Sequence, residues 1–413
     1  MTLKKPELLA PAGSLEKLKT AFLYGADAVY IGGEEYSLRT AAENFSFSDM
    51  AEGVKIAHSM GKKVYLTANI IPHNKDMEDY ADFLTEAVKT GVDAVILSDL
   101  GMFAVTKRVA PDLEMHISTQ ANNVNYESAK MWKELGAKRV ILARELSFEE
   151  ISEIRKKTGD ELELEAFVHG AMCISYSGRC LLSNYMTERD SNLGACSHPC
   201  RWNYSLMEEK REGEYFPVFE NERGTFIFNS KDLCMIEYIP ELIKCGLSSF
   251  KIEGRVKSEY YLATVIKAYR NAIDSYFEDG ENYKFDPELL EELKKVSHRD
   301  YTTGFYFKKP GGSEQNYKTS SYIRNYELLG IVESYNKAEK MAYIVQKNRF
   351  FPGDEVEFLC PDSPYKKLKI EKIIDMEGSE LEVANRPQSV VKIPISFPLV
   401  PGSMMRGKRK TSN

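Results

Sequence analysis

Residues 25–33 read GADAVYIGG, and this stretch decides the fold. A glycine closes a helical run, a tight turn follows, and an apolar strand rich in β-branched and aromatic residues begins. The same unit returns as GKKVYLTANI from Gly61, GVDAVILSD from Gly91, GAKRVILARE from Gly136 and GLSSFKIEGR from Gly246. Three further apolar runs, Glu7–Ala10, Leu113–Ser118 and Leu162–Val168, bring the candidate strands to eight. Unbroken apolar strands of this kind are buried on both faces, as in a parallel sheet. The segments between them carry helical periodicity. Leu15, Leu18, Ala21 and Phe22 share one face, and so do Tyr261, Val265, Ala268, Ala272 and Tyr276. Eight βα units predict a TIM-barrel-like (β/α)8 domain over residues 1–300. An open doubly wound α/β sheet is the alternative that the same alternation permits.

The rhythm changes beyond residue 300. Residues 301–326 are rich in Gly, Lys, Ser and Tyr and read as a linker. From 327 to 400 short alternating segments such as KMAYIVQ, DEVEFL and VVKIPI, separated by turn residues, predict a small all-β barrel. Residues 401–413 end in RGKRKTSN and are expected to form a basic mobile tail.

The chain has 413 residues, 43% of them hydrophobic and 28% charged, enough for a large core and a soluble surface. A net charge of −7 argues against wholesale non-specific nucleic-acid binding and leaves room for a local basic face. No apolar run reaches the roughly 18 residues of a membrane span. The opening MTLKKPELLAPAG has no signal-peptide core, so a cytoplasmic location with no membrane partner is expected.

One unit is interrupted. About eighty residues separate the seventh strand from the eighth, and insertions of that length usually carry function. Its first part, Glu165–Cys200, reads EAFVHGAMCISYSGRCLLSNYMTERDSNLGACSHPC. It holds Cys173, Cys180, Cys196 and Cys200, with gaps of six, fifteen and three residues. In a reducing compartment four clustered cysteines suggest metal before disulfide. Structural zinc sites favour two close pairs, and only Cys196 and Cys200 form one, which tilts the reading slightly towards iron–sulfur. Cys234, Cys245 and Cys360 lie outside and read as structural. Polar residues gather where the barrel strands end, the rim on which such barrels do their chemistry. They include Asn69, Asp99, Ser118, Thr119, Gln120, Arg144, Glu145, His169, Glu253 and Arg255. Protease signatures of the G-x-S-x-G and H-E-x-x-H types are absent, although His169 stands close enough to Cys173 for a nucleophile pair.

Glu165, Phe167, Gly170, Cys173, Gly178, Cys180 and Ser183 match the pattern E-x-F-x-x-G-x-x-C-x4-G-x-C-x-x-S of the peptidase U32 family, the collagenase-like or PrtC-like proteases. ELLAPAGSLEKLKTAFLYGADAVYIGG, RTAAENF around Arg39 and Asn44, and KIEGR at Lys251–Arg255 are similar to that family too. The resemblance spans roughly residues 6 to 280. Despite the family's name, it implies an oxygen-inserting enzyme of the subgroup that makes 5-hydroxyuridine at the wobble position of tRNA. It implies a 4Fe–4S cluster on Cys173, Cys180, Cys196 and Cys200, dependence on prephenate, binding at the tRNA anticodon loop and, in some bacteria, a paralogous partner. Other family members hydroxylate a ribosomal RNA cytidine or a quinone precursor. A collagenase-like hydrolase remains the rival reading.

In that setting Glu165 and His169 are expected to face one cavity and to orient a ligand or handle protons. The carboxylates of prephenate call for arginine, supplied by Arg39, Arg144 or Arg255, with Arg255 foremost because it ends the eighth strand. His116 and Gln120 are expected to read a uracil edge. Asn44, Glu145 and Glu253 complete the set of candidate binding residues.

Overall fold

The computed structural model describes residues 4–38, 44–172, 177, 183, 187, 189, 191–193, 196–197, 231–307 and 322–409, with the backbone of 219–221 and 224–226. Eight parallel strands form the main sheet. They are β1 Glu7–Pro11, β2 Ala28–Gly32, β3 Lys63–Ala68, β4 Ala94–Leu97, β5 Glu114–Ile117, β6 Arg139–Ile141, β7 Glu163–Ala171 and β8 Ser249–Ile252. Each pairs with its sequence neighbour, and β8 pairs with both β7 and β1, which closes the barrel. The open-sheet alternative is thereby excluded.

Helices α1 Leu15–Leu23, α2 Phe47–Ser59, α3 Tyr80–Lys89, α4 Leu100–Val109, α5 Tyr126–Leu135, α6 Phe148–Thr158, α7 Ile239–Lys244 and α8 Glu259–Asp279 follow the strands. Their starts are written locally. Ser14 accepts from the Lys17 amide, and Ser46 forms a reciprocal cap with Asp49. Gly136 ends α5 at φ 108°, a conformation that a side chain would oppose. The aspartate two residues after the repeated glycine has its own task. Asp27 accepts from the Leu8 amide, and Asp93 from the Val64 amide, so each turn satisfies the first free donors of the neighbouring strand.

The insertion after β7 returns as a short strand, Asp232–Cys234, antiparallel to β7. Tyr301–Thr302 adds a further short strand beside it, so the presumed linker begins as part of the sheet. Cys234 and Cys245 are buried, and burial pushes both thiols up to about 12, in keeping with a structural role.

The C-terminal domain is all-β. Strands β9 Tyr326–Asn336, β10 Met341–Gln346, β11 Glu355–Leu359, β12 Lys366–Lys369, β13 Ile373–Ile374, β14 Glu380–Leu381, β15 Val390–Pro394 and β16 Met404–Lys408 form one antiparallel sheet. Its order is β12-β11-β16-β9-β10-β15-β13-β14, and among the described residues its two edge strands do not pair with each other. The expectation of a mobile tail from residue 401 is corrected here. Met404–Lys408 is an inner strand between β9 and β11, with Met404 and Met405 buried. Arg406 is fully buried because Glu292 of the barrel domain, at 2.5 Å, and Glu357, at 2.9 Å, both neutralise it. Lys295 joins the same carboxylates, and the Tyr24 hydroxyl donates to the carbonyls of Leu359 and Gly402. These contacts fasten the two domains together.

Candidate functional site at the barrel mouth

Strand register sets what points inward. Glu7 lies beside Ser249, Leu9 beside Lys251, Tyr30 beside Tyr65, His116 beside Arg139, and Phe167 beside Lys251. Barrels of this class usually fill their interior with Val, Ile and Leu. Here the lower interior is ionic. Glu165 is fully buried, with one oxygen 2.8 Å from Arg139 and the other 2.8 Å from the Lys251 ammonium. Arg139 also reaches Glu7 at 2.6 Å and Glu163 at 2.6 Å, and the Tyr65 hydroxyl donates to Glu7. Burial alone would raise the Glu165 carboxyl, but Lys251 and Arg139 outweigh it and hold it down to about 2. Burial pulls Lys251 below the ordinary lysine value against the opposing pull of Glu165.

Two expectations change as a result. Glu165 is the third residue of β7 rather than its end, and it spends both oxygens on an internal ion pair. His116 sits inside the barrel, edge-on to the Tyr65 ring at 4.8 Å, with its Nε2 3.6 Å from the Glu114 carboxylate. It has no exposed surface, so it does not stand on the rim where a base edge could be read.

His169 is corrected too. A bulge between Lys251 and Ile252 shifts the β7–β8 register, and the imidazole packs outside the barrel against the rings of Tyr261, Tyr269 and Tyr301. Its Nδ1 lies 3.4 Å from the Tyr269 hydroxyl. Burial, helped by Lys257, lowers it to about 3, so it is neutral at pH 7. Glu165 and His169 therefore do not share a cavity. The unfolded chain protonates this histidine near 6.5. Between about 3 and 6.5 it binds more protons than the folded chain, so stability falls as pH falls through that window. His169→Phe should fill the same aromatic nest and flatten the loss of thermal stability between pH 7 and 5. One proton is worth up to about 1.4 kcal/mol per pH unit. Parallel slopes for the two proteins in melts across that range would contradict the assignment.

The rim itself has two arginines, after β6 and after β8. Arg255, after β8, is almost wholly buried. Its Nη1 donates to Ser37 at 2.5 Å and to Thr67 at 3.2 Å, and its Nη2 donates to Asn44 at 3.3 Å. A Cβ at Gly32 would collide with the same guanidinium, which is why β2 must end in glycine there. Arg255 thus ties the ends of β2, β3 and β8 together, and the expected open fork for a carboxylate is already engaged by protein. Arg144, after β6, is half-buried and lies over the Phe167 ring at 4.3 Å. Glu253 is buried, and its amide donates to the His169 carbonyl. Asn69 donates to Ser118, and the Gln120 amide nitrogen of the backbone donates to the same hydroxyl.

Two described residues of the cysteine-bearing segment, Ser177 and Asn192, touch this mouth. Ser177 donates its amide to Glu145, at 3.0 Å, on the β6 side. On the β3 side the Ile71 amide donates to the Asn192 carbonyl at 3.0 Å. Its entry is fixed by Gly170, at φ 111°, where a Cβ would stand 2.6 Å from the Glu253 carbonyl oxygen. Within it, Ser197 donates its amide to Ser183 and shares hydroxyl hydrogen bonds with Ser183 and Thr187. Cys196 is half-buried beside this knot. Cys173, Cys180, Cys200 and Arg39 lie outside the described residues, as does most of the charged stretch 208–222. Of the four cysteines expected to hold a cluster, Cys196 alone lies among the described residues, and its partial exposure suits a ligand thiolate. Ser37, Thr67, Phe167 and Lys251 were not anticipated as shaping this region. A polar or charged residue inside an apolar strand is the signal that marks two of them, Thr67 and Lys251.

Peptidase family U32 matches residues 13–316, and the family's C-terminal domain matches residues 324–406. The chain belongs to peptidase family U32. Among U32 relatives, tRNA hydroxylation protein P1 of Bacillus subtilis (strain 168) is 45% identical over 98% of this chain and 95% of that one. tRNA hydroxylation protein P of Escherichia coli (strain K12) is 38% identical over 95% and 94%. tRNA hydroxylation protein P2 of Bacillus subtilis is 36% identical over 74% of this chain and 99% of its own length. The U32 family name aside, no described residue pairs His169 with a nucleophile, because its ring is enclosed by tyrosines. Among the described residues no helix of this U32 chain is long and apolar enough to cross a membrane.

Proposed function

We propose that this protein hydroxylates C5 of a wobble uridine in tRNA, in a reaction that depends on prephenate. The observation that carries the reading is similarity along nearly the whole chain to two proteins named for tRNA hydroxylation. The architecture suits it. A barrel mouth bordered by Arg144, Asn69, Gln120 and the Arg255 knot is contacted by Ser177 and Asn192 of the cysteine-bearing segment. Cys173, Cys180, Cys196 and Cys200 would hold a 4Fe–4S cluster, which supplies one-electron redox chemistry when bound.

The chain's own residues have separate tasks. Arg255 holds the β2, β3 and β8 exits in one geometry, and Glu145 fixes the near end of the cysteine-bearing segment. The wobble base, unstacked in the anticodon loop, enters the mouth singly. Gln120 and the Asn69 side-chain oxygen would hydrogen-bond its edge. The ionic layer below keeps the barrel floor closed and charged, away from bulk water. Nucleoside mass spectrometry of tRNA from a deletion strain should show 5-hydroxyuridine derivatives depleted and restored by the wild-type gene. Normal levels in a strain that also lacks every paralogue would sink the reading. Gelatin cleavage by the metal-free protein, abolished in His169→Ala, would favour the hydrolase instead.

A further inference from the structure

We propose that Arg144, rather than Arg255, is the residue that grips a small carboxylate ligand in the barrel mouth; this deepens the hydroxylase reading and rests on it for the identity of that ligand. The two rim arginines differ in what they have left to offer. Arg255 is committed to Ser37, Thr67 and Asn44. Arg144 has only one protein acceptor among the described residues, the Ala171 carbonyl, at 3.4 Å from Nη1. Its Nε is buried and, like that of Arg255, has no hydrogen-bond partner among the described residues, but its Nη2 is not taken up there as Arg255 Nη2 is by Asn44. Nε and Nη2 lie on one edge of the guanidinium, and that edge matches the two oxygens of a carboxylate.

The surroundings hold the group ready. The Phe167 ring lies 4.3 Å beneath the guanidinium and limits its rotation. Glu145, the adjacent acid, is turned to the Ser177 amide and hydroxyl and forms no ion pair with Arg144. The β5 exit turn is tied to the same strand end, since Thr119 donates to the Leu142 carbonyl and the Ala143 amide donates to the Asn123 carbonyl. A buried donor without an acceptor at the mouth of a barrel is satisfied when a planar anion enters. A guanidinium stacked on an aromatic ring and lying inside the mouth suits a compact carboxylate better than a backbone phosphate on the molecular surface.

The test is calorimetric titration of the anaerobically purified, full-length protein with prephenate and, separately, malonate. Arg144→Lys keeps the charge but loses the planar fork. We expect at least a tenfold loss of affinity, with thermal stability unchanged. Phenylglyoxal labelling of the wild type, read by peptide mass spectrometry, gives an independent measure that needs no variant. Saturating prephenate should protect Arg144. Protection by malonate but not prephenate upholds the role of Arg144 and counts against prephenate as the ligand. Equal affinity in Arg144→Lys, or labelling of Arg144 that neither carboxylate slows, overturns the inference. Protection by tRNA alone overturns it in favour of a phosphate contact.

Discussion

Cys196→Ser should strip the anaerobically purified protein of its brown colour and of the roughly four irons per chain that a cubane on four thiolates carries. Cys360→Ser should keep both. Serine at 196 leaves the neighbouring Ser183–Ser197–Thr187 hydrogen bonds intact, so the loss would report the thiolate rather than the fold. Cys360 is buried in the C-terminal core, its thiol facing the Phe358 carbonyl at 3.6 Å, remote in role from the mouth. In a deletion strain the Cys196→Ser copy should leave 5-hydroxyuridine at background. Iron analysis and tRNA nucleoside analysis check the two halves separately. Stoichiometric zinc without iron in the wild type would remove the cluster from the proposal while leaving tRNA as the substrate to be tested.

Glu165→Ala should destabilise the barrel by about 3–5 kcal/mol, the cost of breaking a buried ion pair from one side. The deleted carboxylate leaves the Lys251 ammonium without its partner at 2.8 Å and takes one of three carboxylates from Arg139. Glu165→Met combined with Lys251→Met should recover much of the loss, because Arg139 keeps Glu7 and Glu163 while the lysine charge is gone. Denaturant melts followed by circular dichroism make the comparison. Acid adds a check on sign. The Glu165 carboxyl is held at about 2, below the ordinary carboxylate value. Its contribution is therefore complete above about pH 4.5 and is lost as pH falls through 2. A double variant no more stable than Glu165→Ala would show that the alanine cavity, not the stranded charge, sets the cost.

The eight strands and their order are legible in the primary structure. The glycine and the apolar run of GADAVYIGG each encode a local event: a helix end and a doubly buried strand. Local events need no knowledge of the rest of the chain. The cysteine-bearing insertion is legible for the same reason, since composition and interruption of a repeat are local properties. Gly170 is legible as part of the family pattern, but only the approach of the Glu253 carbonyl explains why position 170 can carry no side chain.

What the tertiary structure alone decided is how charge is distributed across strands. Glu165, Arg139 and Lys251 come from three strands, and their neutralisation depends on register, which no single segment specifies. The bulge in β7, where Val168 and His169 oppose Ile252 alone, turns His169 out of the barrel and into tyrosines, although strict alternation from Glu165 would have aimed it inward. Arg406 looked like part of a solvated tail until Glu292 and Glu357, distant in sequence, supplied the counter-charges that let it be buried. Arg144 and Arg255 read alike as rim arginines. Only the hydrogen bonds of the folded chain separate the one that is spent on Ser37, Thr67 and Asn44 from the one that meets a single acceptor among the described residues, because a donor's availability is a property of its neighbours in space.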